Sequence, residues 1–341
     1  MGKKGVLLVN LGTPDSPSNA DVRKYLREFL MDPRVIDINA FSRTLLVKGI
    51  IAPTRGPKSA KLYQKIWDAE TGSPLLHYSL LQQKLLQERL GDEYMVELAM
   101  RYQSPSIASA LSRLKDALVD EIKVIPLFPQ YASASTGSVY DKVMELLLEW
   151  PTKPPVWFIN SFHDNELMIE TFAQNARKYA PETYDHILFS FHGLPQRQLI
   201  KSDHTHQHCL KVSGCCDTIT EANKFCYSAQ SHHTARLIAE KLNIRKDKYT
   251  ICFQSRLGSD PWVQPYTSEI VAKLAKEGKK RLLVFCPAFV SDCLETVYEV
   301  TAEYGDEFKA LGGEHVQLVE SLNDSPLWIE ALEGMVRPPA P

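Results

Sequence analysis

The 341-residue chain contains no stretch of ~18 consecutive apolar residues, the length that a membrane-spanning helix needs. Its opening Met1-Gly-Lys-Lys-Gly runs into the short apolar stretch Val6-Leu7-Leu8-Val9, too brief for a signal-peptide core. A cytoplasmic protein is expected, with a peripheral membrane contact left open through an apolar lip of Leu45, Leu46, Val47, Ile50 and Ile51. Charge of one sign is lacking too. Lys and Arg number 39 against 41 Asp and Glu, a net charge of −2 with no long basic run, so nucleic acid is not an expected partner. No Gly-x-Gly-x-x-Gly follows the first apolar run, where Asn10-Leu-Gly-Thr-Pro14 has a single glycine, and no Gly-x-x-x-x-Gly-Lys-Ser/Thr loop occurs. Dinucleotide redox chemistry and nucleotide hydrolysis thereby lose their strongest sequence supports, and no nucleotide cofactor is expected. Cys-x-x-Cys pairs are absent as well, which removes the usual zinc-ribbon spacing.

What is present reads as a globular α/β protein, 44% apolar and 23% charged. Short, continuous, β-branched runs predict buried parallel strands at 5–10, 95–101, 122–127, 156–160, 187–191, 250–254, 282–286 and 316–319. Helical spacing of apolar residues separates them, at 18–30, 75–90, 106–117 and 220–242. Strand–helix alternation of this kind argues a doubly wound architecture. The halves echo each other. Met100-Arg-Tyr-Gln-Ser-Pro105 is similar to Cys252-Phe-Gln-Ser-Arg256, and Ile125-Pro-Leu-Phe-Pro129 to Val284-Phe-Cys-Pro-Ala288. Two Rossmann-like lobes are expected, 1–155 and 156–341, joined near Trp150-Pro-Thr-Lys-Pro-Pro155, with the last helix packing back on the first lobe. Ligands of open α/β sheets bind beyond the carboxyl ends of the strands, so an inter-lobe cleft lined by those ends is where chemistry is expected.

Two titratable residues stand just past such ends. His192 closes the run Leu188-Phe-Ser-Phe-His192-Gly-Leu-Pro195, where an imidazole can bind a metal or accept a proton. Glu295 lies in Asp292-Cys-Leu-Glu295-Thr-Val-Tyr-Glu-Val300, and a helix beginning at Asp292 sets Glu295, Glu299 and Glu303 on one face. Taken alone, the first is a corner histidine and the second a solvated acidic face. Together they offer a base and carboxylates to a cation.

Seven short stretches, in order, make the chain resemble the ferrochelatases from Leu7 to about Glu303. They are Leu8-Val-Asn-Leu-Gly-Thr-Pro14, Phe29-Leu-Met-Asp-Pro-Arg-Val-Ile36, Met100-Arg-Tyr102, Pro126-Leu-Phe-Pro-Gln-Tyr131, Ser190-Phe-His-Gly-Leu-Pro195, Phe253-Gln-Ser-Arg256 and Asp292-Cys-Leu-Glu-Thr296. The resemblance implies a lyase of haem biosynthesis that inserts Fe²⁺ into a porphyrin, with His192 and Glu295 handling ion and protons and Glu299 and Glu303 extending an acidic track. Which of His192 and Glu295 takes metal stays open. It further implies Leu11 and Phe29 along the ring, Arg55, Tyr63 and Ser73 at its edge and propionates, and Arg101 and Tyr102 at the border. Relatives that use coproporphyrin III typically carry tyrosine at the place of Leu11, so protoporphyrin IX is the expected substrate. A chelatase for another tetrapyrrole or metal, and a noncatalytic haem carrier, are the alternatives.

The remaining signal is a cysteine cluster. Of seven cysteines, Cys209, Cys215, Cys216 and Cys226 crowd into the polar stretch 203–227 beside His204, His206 and His208. Four thiolates satisfy a [2Fe–2S] cluster. Some bacterial ferrochelatases carry one through an insertion at this place, which makes it the expected cofactor, with zinc the alternative.

Overall fold

The computed structural model describes residues 2–256, 258 and 260–337. All eight apolar runs form strands, with ends shifted by at most two residues. β1 (Lys4–Gly12), β2 (Tyr94–Tyr102), β3 (Glu121–Pro126) and β4 (Val156–Phe158) make one parallel sheet in the order β2-β1-β3-β4. β5 (His186–His192), β6 (Tyr249–Gln254), β7 (Arg281–Phe285) and β8 (His315–Leu318) make a second, in the equivalent order β6-β5-β7-β8. Strands covered on both faces by helices must be apolar throughout, which is why these runs do not alternate. The fold is the expected α/β one, twice over.

Residue contacts divide the chain into two compact units. The first holds the chain up to Phe128, Ala132–Asn160 and the chain from Ile329; the second holds Pro129–Tyr131 and Ser161–Trp328. β4 follows the proline-rich segment yet pairs with β3, so the division falls after Asn160. In the first unit, Leu7, Val9, Val124, Leu111 and Val143 pack sheet against helices. The Lys123 ammonium there donates to the Met335 and Val336 carbonyls at 3.3 and 2.7 Å, which caps the last helix, Pro326–Val336. In the second unit, Leu188, Cys252, Leu282, Val284, Val300 and Phe308 form the core. Cys252 and Cys286 are buried apolar neighbours there, and burial pushes the Cys252 thiol up to about 12.

The helices lie where the spacing predicts, with one correction. The pattern over 220–242 does not begin a helix at Thr220; the helix is Tyr227–Lys241. Asn223 holds the preceding residues in a turn: its Oδ1 accepts from Thr220 N at 2.6 Å and its Nδ2 donates to the Cys215 and Thr218 carbonyls, each at 2.8 Å. An asparagine that bonds local backbone competes with helix propagation, and extended Cys226 is the N-cap. The inward face of this helix carries His232, stacked 6.2 Å from Phe253. Burial lowers its pKa from the ordinary 6.5 to about 4.

That shift sets a pH dependence. Between about pH 6.5 and 4 the unfolded chain takes up a proton that folded His232 refuses, so stability is complete above this window and falls as pH drops through it. At about 1.4 kcal/mol per unit the loss reaches at most about 3 kcal/mol. His163 and His186 are shifted the same way by burial and add to it. We expect His232→Gln to flatten the pH 7 to 4 stability profile in urea unfolding; an unchanged slope would remove His232 as its source.

Candidate functional site

The carboxyl edge of the second sheet gathers the polar chemistry of that unit. His192 ends β5, and its register partner Gln254 ends β6. The His192 ring Nδ1 lies 2.7 Å from the Gly193 carbonyl oxygen. A carbonyl only accepts, so Nδ1 bears the proton and the lone pair resides on Nε2. No hydrogen bond occupies that Nε2 among the described residues. From behind, the Tyr227 hydroxyl donates to the His192 carbonyl at 2.8 Å, and Trp262 stands 6.5 Å away, ring to ring. Gly193 cannot be replaced quietly, since a Cβ there would sit 2.8 Å from the Gln254 carbonyl and 3.1 Å from Trp262.

Glu295 and Glu299 lie on a π-helix, Leu294–Tyr304. Asp292 holds the chain leading into it: its carboxylate accepts from Thr296 Oγ1, Ser321 N and Asn323 Nδ2 at 2.8–3.2 Å. The helix starts at Leu294, two residues later than the spacing suggested, with buried Cys293 as N-cap. Thr296, Val300 and Tyr304 form its buried row. Each glutamate precedes one of these by a single position, so the acidic row flanks the buried one. Glu299 is accordingly half-buried, whereas Glu303 is exposed.

Glu299 is the most constrained of the three. Its carboxylate accepts from Ser255 N (3.1 Å), Ser255 Oγ (2.7 Å), Tyr304 Oη (2.8 Å) and Gln254 Nε2 (3.3 Å). Ser255 reaches it with φ of 64°, left-handed backbone that a non-glycine residue adopts at a cost of about 1–3 kcal/mol. Burial raises the Glu299 pKa; the bonds from Ser255 and Tyr304 oppose the rise, nearby Glu295 adds to it, and His192 opposes it. Glu295 and His192 thus lie close enough to Glu299 to act on its carboxyl. Gln254 Nε2 also donates to the Glu295 carbonyl at 3.0 Å. Gln254, Ser255 and Tyr304 had no assigned role in the sequence, although the first two lie within the Phe253-Gln-Ser-Arg256 stretch.

In the first unit the expected ring-binding residues separate into two groups. Leu11 and Phe29 are half-buried and Arg55 is exposed, so all three present surface. Tyr102 and Ser73 are 0% and 2% exposed, and Tyr63 is buried. The Tyr102 hydroxyl donates to Asp32 at 2.9 Å, and Arg101 pairs with the same carboxylate at 2.6 Å and with Ser138 Oγ at 2.7 Å. The Ser73 hydroxyl is 2.9 Å from Thr13 Oγ1. These side chains brace the exposed ones. Tyr102 packs edge-on to Phe29 at 5.2 Å, and Gly12 makes room for it, since a Cβ there would lie 2.1 Å from the Tyr102 carbonyl.

The cysteine stretch folds as a polar loop. Asp203 accepts from Thr205 Oγ1 (2.6 Å), Cys209 N (2.8 Å), His208 N (2.9 Å) and Thr205 N (3.0 Å), which holds its carboxyl well below the usual range. Cys215 and Cys216 Sγ are 3.8 Å apart. Hydrogen bonds from the Cys209 and Cys216 thiols, followed by the Ala229 and Ser228 amides at the helix start, lower the Cys226 thiol. Cys209 and Cys216 are pushed up in turn, chiefly by that same bonding to Cys226 and by burial. Cys226 stands at a helix N-terminus with the other thiols in the loop before it, and four thiols match the ligand number and chemistry of an iron–sulfur cluster.

A cavity of about 380 Å³, lined by Arg177, Tyr184, Lys241 and Arg245 among others, lies at the amino-terminal end of β5 and touches none of these groups.

Comparison with known proteins agrees with this arrangement. The family model described as Ferrochelatase matches residues 3–339. A ferrochelatase of Legionella pneumophila (strain Lens) is 42% identical over 341 residues, covering 98% of either chain. One of Coxiella burnetii (strain Dugway 5J108-111) is 43% identical over 335 residues, covering 98% of this chain and 93% of its own. The solved structure of SirB from Bacillus subtilis with Fe³⁺ shares the fold, with a TM-score of 0.52 at 11% identity over 98% of this chain and 94% of that one. Along essentially its whole length, this chain belongs to the ferrochelatase family.

Proposed function

We propose that the chain performs its family's reaction, insertion of Fe²⁺ into a porphyrin with release of two protons, through His192, Glu295 and Glu299, and that its ring is protoporphyrin IX. One observation supports the reading: an imidazole with Nδ1 committed and Nε2 free ends β5, and the half-buried Glu299 carboxylate is bonded to Gln254 and Ser255 at the end of the neighbouring β6. Nε2 takes a proton from a pyrrole N–H, and the N–H electron pair stays on the ring nitrogen. The imidazolium passes that proton to Glu299, whose proton affinity burial raises above that of an ordinary carboxyl. Exposed Glu303 hands it to water, and a second transfer leaves the ring with the charge that balances the ferrous substrate. Glu295 offers oxygen to the ion as it sheds water. Leu11 at the end of β1 and Phe29 on its aromatic backing are the apolar side chains that the family resemblance assigns to the ring. Coproporphyrin III carries two further propionates, and apolar surface gives such carboxylates no partner.

Steady-state insertion of Fe²⁺ into both porphyrins at one pH and detergent concentration tests this. We expect higher kcat/KM for protoporphyrin IX, and losses of about 10²-fold or more in His192→Ala and Glu295→Gln with porphyrin binding retained. Preference for coproporphyrin III would overturn the ring assignment alone. Near-normal rates in both variants would overturn the site, and stoichiometric binding without turnover would make the chain a carrier.

Cys209, Cys215, Cys216 and Cys226 would hold a [2Fe–2S] cluster, whose part is structural or sensory because insertion transfers no electron. Protein purified without air should be brown, with about two iron and two sulfide per chain, and should lose the colour in Cys226→Ser. Colourless protein with one zinc and no sulfide would decide for zinc.

No described helix is long and apolar enough to cross a membrane. Within the expected lip at 45–51, Val47 and Ile51 are buried against Leu30 and serve the core instead. Phe41, Leu45 and Ile50 are 81%, 62% and 55% exposed and are the side chains proposed to touch lipid. Flotation with anionic liposomes should retain the wild type and lose Phe41→Ser/Leu45→Ser; a chain that never floats would refute the contact.

A further inference from the structure

Outside the residues already assigned, a second group of metal-ligating side chains lies in the second unit. His163 follows β4 in the loop leading to the helix Glu166–Arg177, and His233 sits midway along Tyr227–Lys241. The His233 Nδ1 and His163 Nε2 atoms are 3.2 Å apart, with ring centroids at 5.3 Å and planes inclined by 55°. One ring nitrogen from each histidine and a carboxylate oxygen of Asp164 all lie within 4.8 Å of one another. His163 is 8% exposed, and its Nδ1 has no hydrogen-bond partner among the described residues. The nearest acceptor, Asp164 Oδ1, is 3.9 Å away, too far for a hydrogen bond. Nε2 of His163 and Nδ1 of His233 are within hydrogen-bond distance of each other, and these same two nitrogens are the ones a shared ion would join.

We propose that His163, His233 and Asp164 form an accessory site for a divalent first-row transition ion, separate from the substrate ion's residues and from the thiols. Two imidazoles on one tetrahedral ion, with metal–nitrogen bonds of about 2.0–2.1 Å, place their nitrogens about 3.3 Å apart, close to the separation here. Two imidazoles and a carboxylate suit Zn²⁺, Co²⁺ or Ni²⁺ rather than Mg²⁺ or Ca²⁺. The frame is already built. The His163 carbonyl accepts from Thr234 Oγ1 at 2.7 Å, Phe162 N donates to the Pro129 carbonyl at 3.0 Å, and Asn165 caps the next helix. Asp164 is exposed and offers the third ligand atom, which leaves a fourth position to water.

The probe is Zn²⁺ alone, measured by equilibrium dialysis and elemental analysis of the full chain under anaerobic conditions. Because every variant keeps the thiols and the His192 site, the difference between variants reads this site. We expect His233→Ala to bind about one equivalent less Zn²⁺ per chain than wild type, and Asp164→Ala to weaken that equivalent about tenfold. Basal iron insertion should persist in His233→Ala, which keeps failure here distinguishable from failure of the reading of His192. His163 is buried and His163→Ala risks unfolding, so partly exposed His233 carries the test. Equal Zn²⁺ stoichiometry and affinity in wild type and His233→Ala would overturn the proposal.

Discussion

A buried primary amide must satisfy both its oxygen and its two N–H donors inside the protein, because water cannot reach them. Gln254 is 2% exposed, and it meets this requirement by joining the sheet edge to the π-helix. Its Oε1 accepts from Ser190 Oγ at 2.6 Å, while its Nε2 donates to the Glu295 carbonyl and toward Glu299. Its backbone carbonyl accepts from Gly193 N at 2.8 Å. The imidazole and the carboxylates are thus held by one side chain and its own backbone. Glutamine is suited to this place because it both donates and accepts without a charge that would compete with Glu299.

The helix Tyr227–Lys241 is the second organising element. Its N-cap is Cys226, its first residue holds the His192 carbonyl, and its middle carries His232 and His233. Cys226 and the tyrosine that bonds the strand end presenting the imidazole are thus consecutive residues. The Arg236 guanidinium on the same helix donates to the Cys216 carbonyl at 3.1 Å, which ties the cysteine loop to it a second time.

Much of the fold was legible before any coordinates. Buried parallel strands are continuous apolar runs, and all eight stand where those runs do. The reading failed where side chains compete with backbone. At 220–226 the apolar spacing continued the helical pattern, but Asn223 takes local backbone partners and stops it. At 45–51 apolar residues read as one lip, whereas the helix turns Val47 and Ile51 into the core and leaves Leu45 and Ile50 outside.

By itself the sequence determined the strands, the repeated topology, the strand-end imidazole and the four-residue spacing of Glu295, Glu299 and Glu303. These follow from periodicity and from the rule that strand ends line sites, both local properties. Only the tertiary structure decided which of those residues meet, and in what protonation state. The Gly193 carbonyl selects the His192 tautomer. Burial raises the Glu299 pKa, and Asp32 draws Arg101 and Tyr102 into a brace. The tautomer depends on local backbone geometry, the carboxyl on desolvation, and the brace on partners about 70 residues apart, and no apolar periodicity encodes any of them.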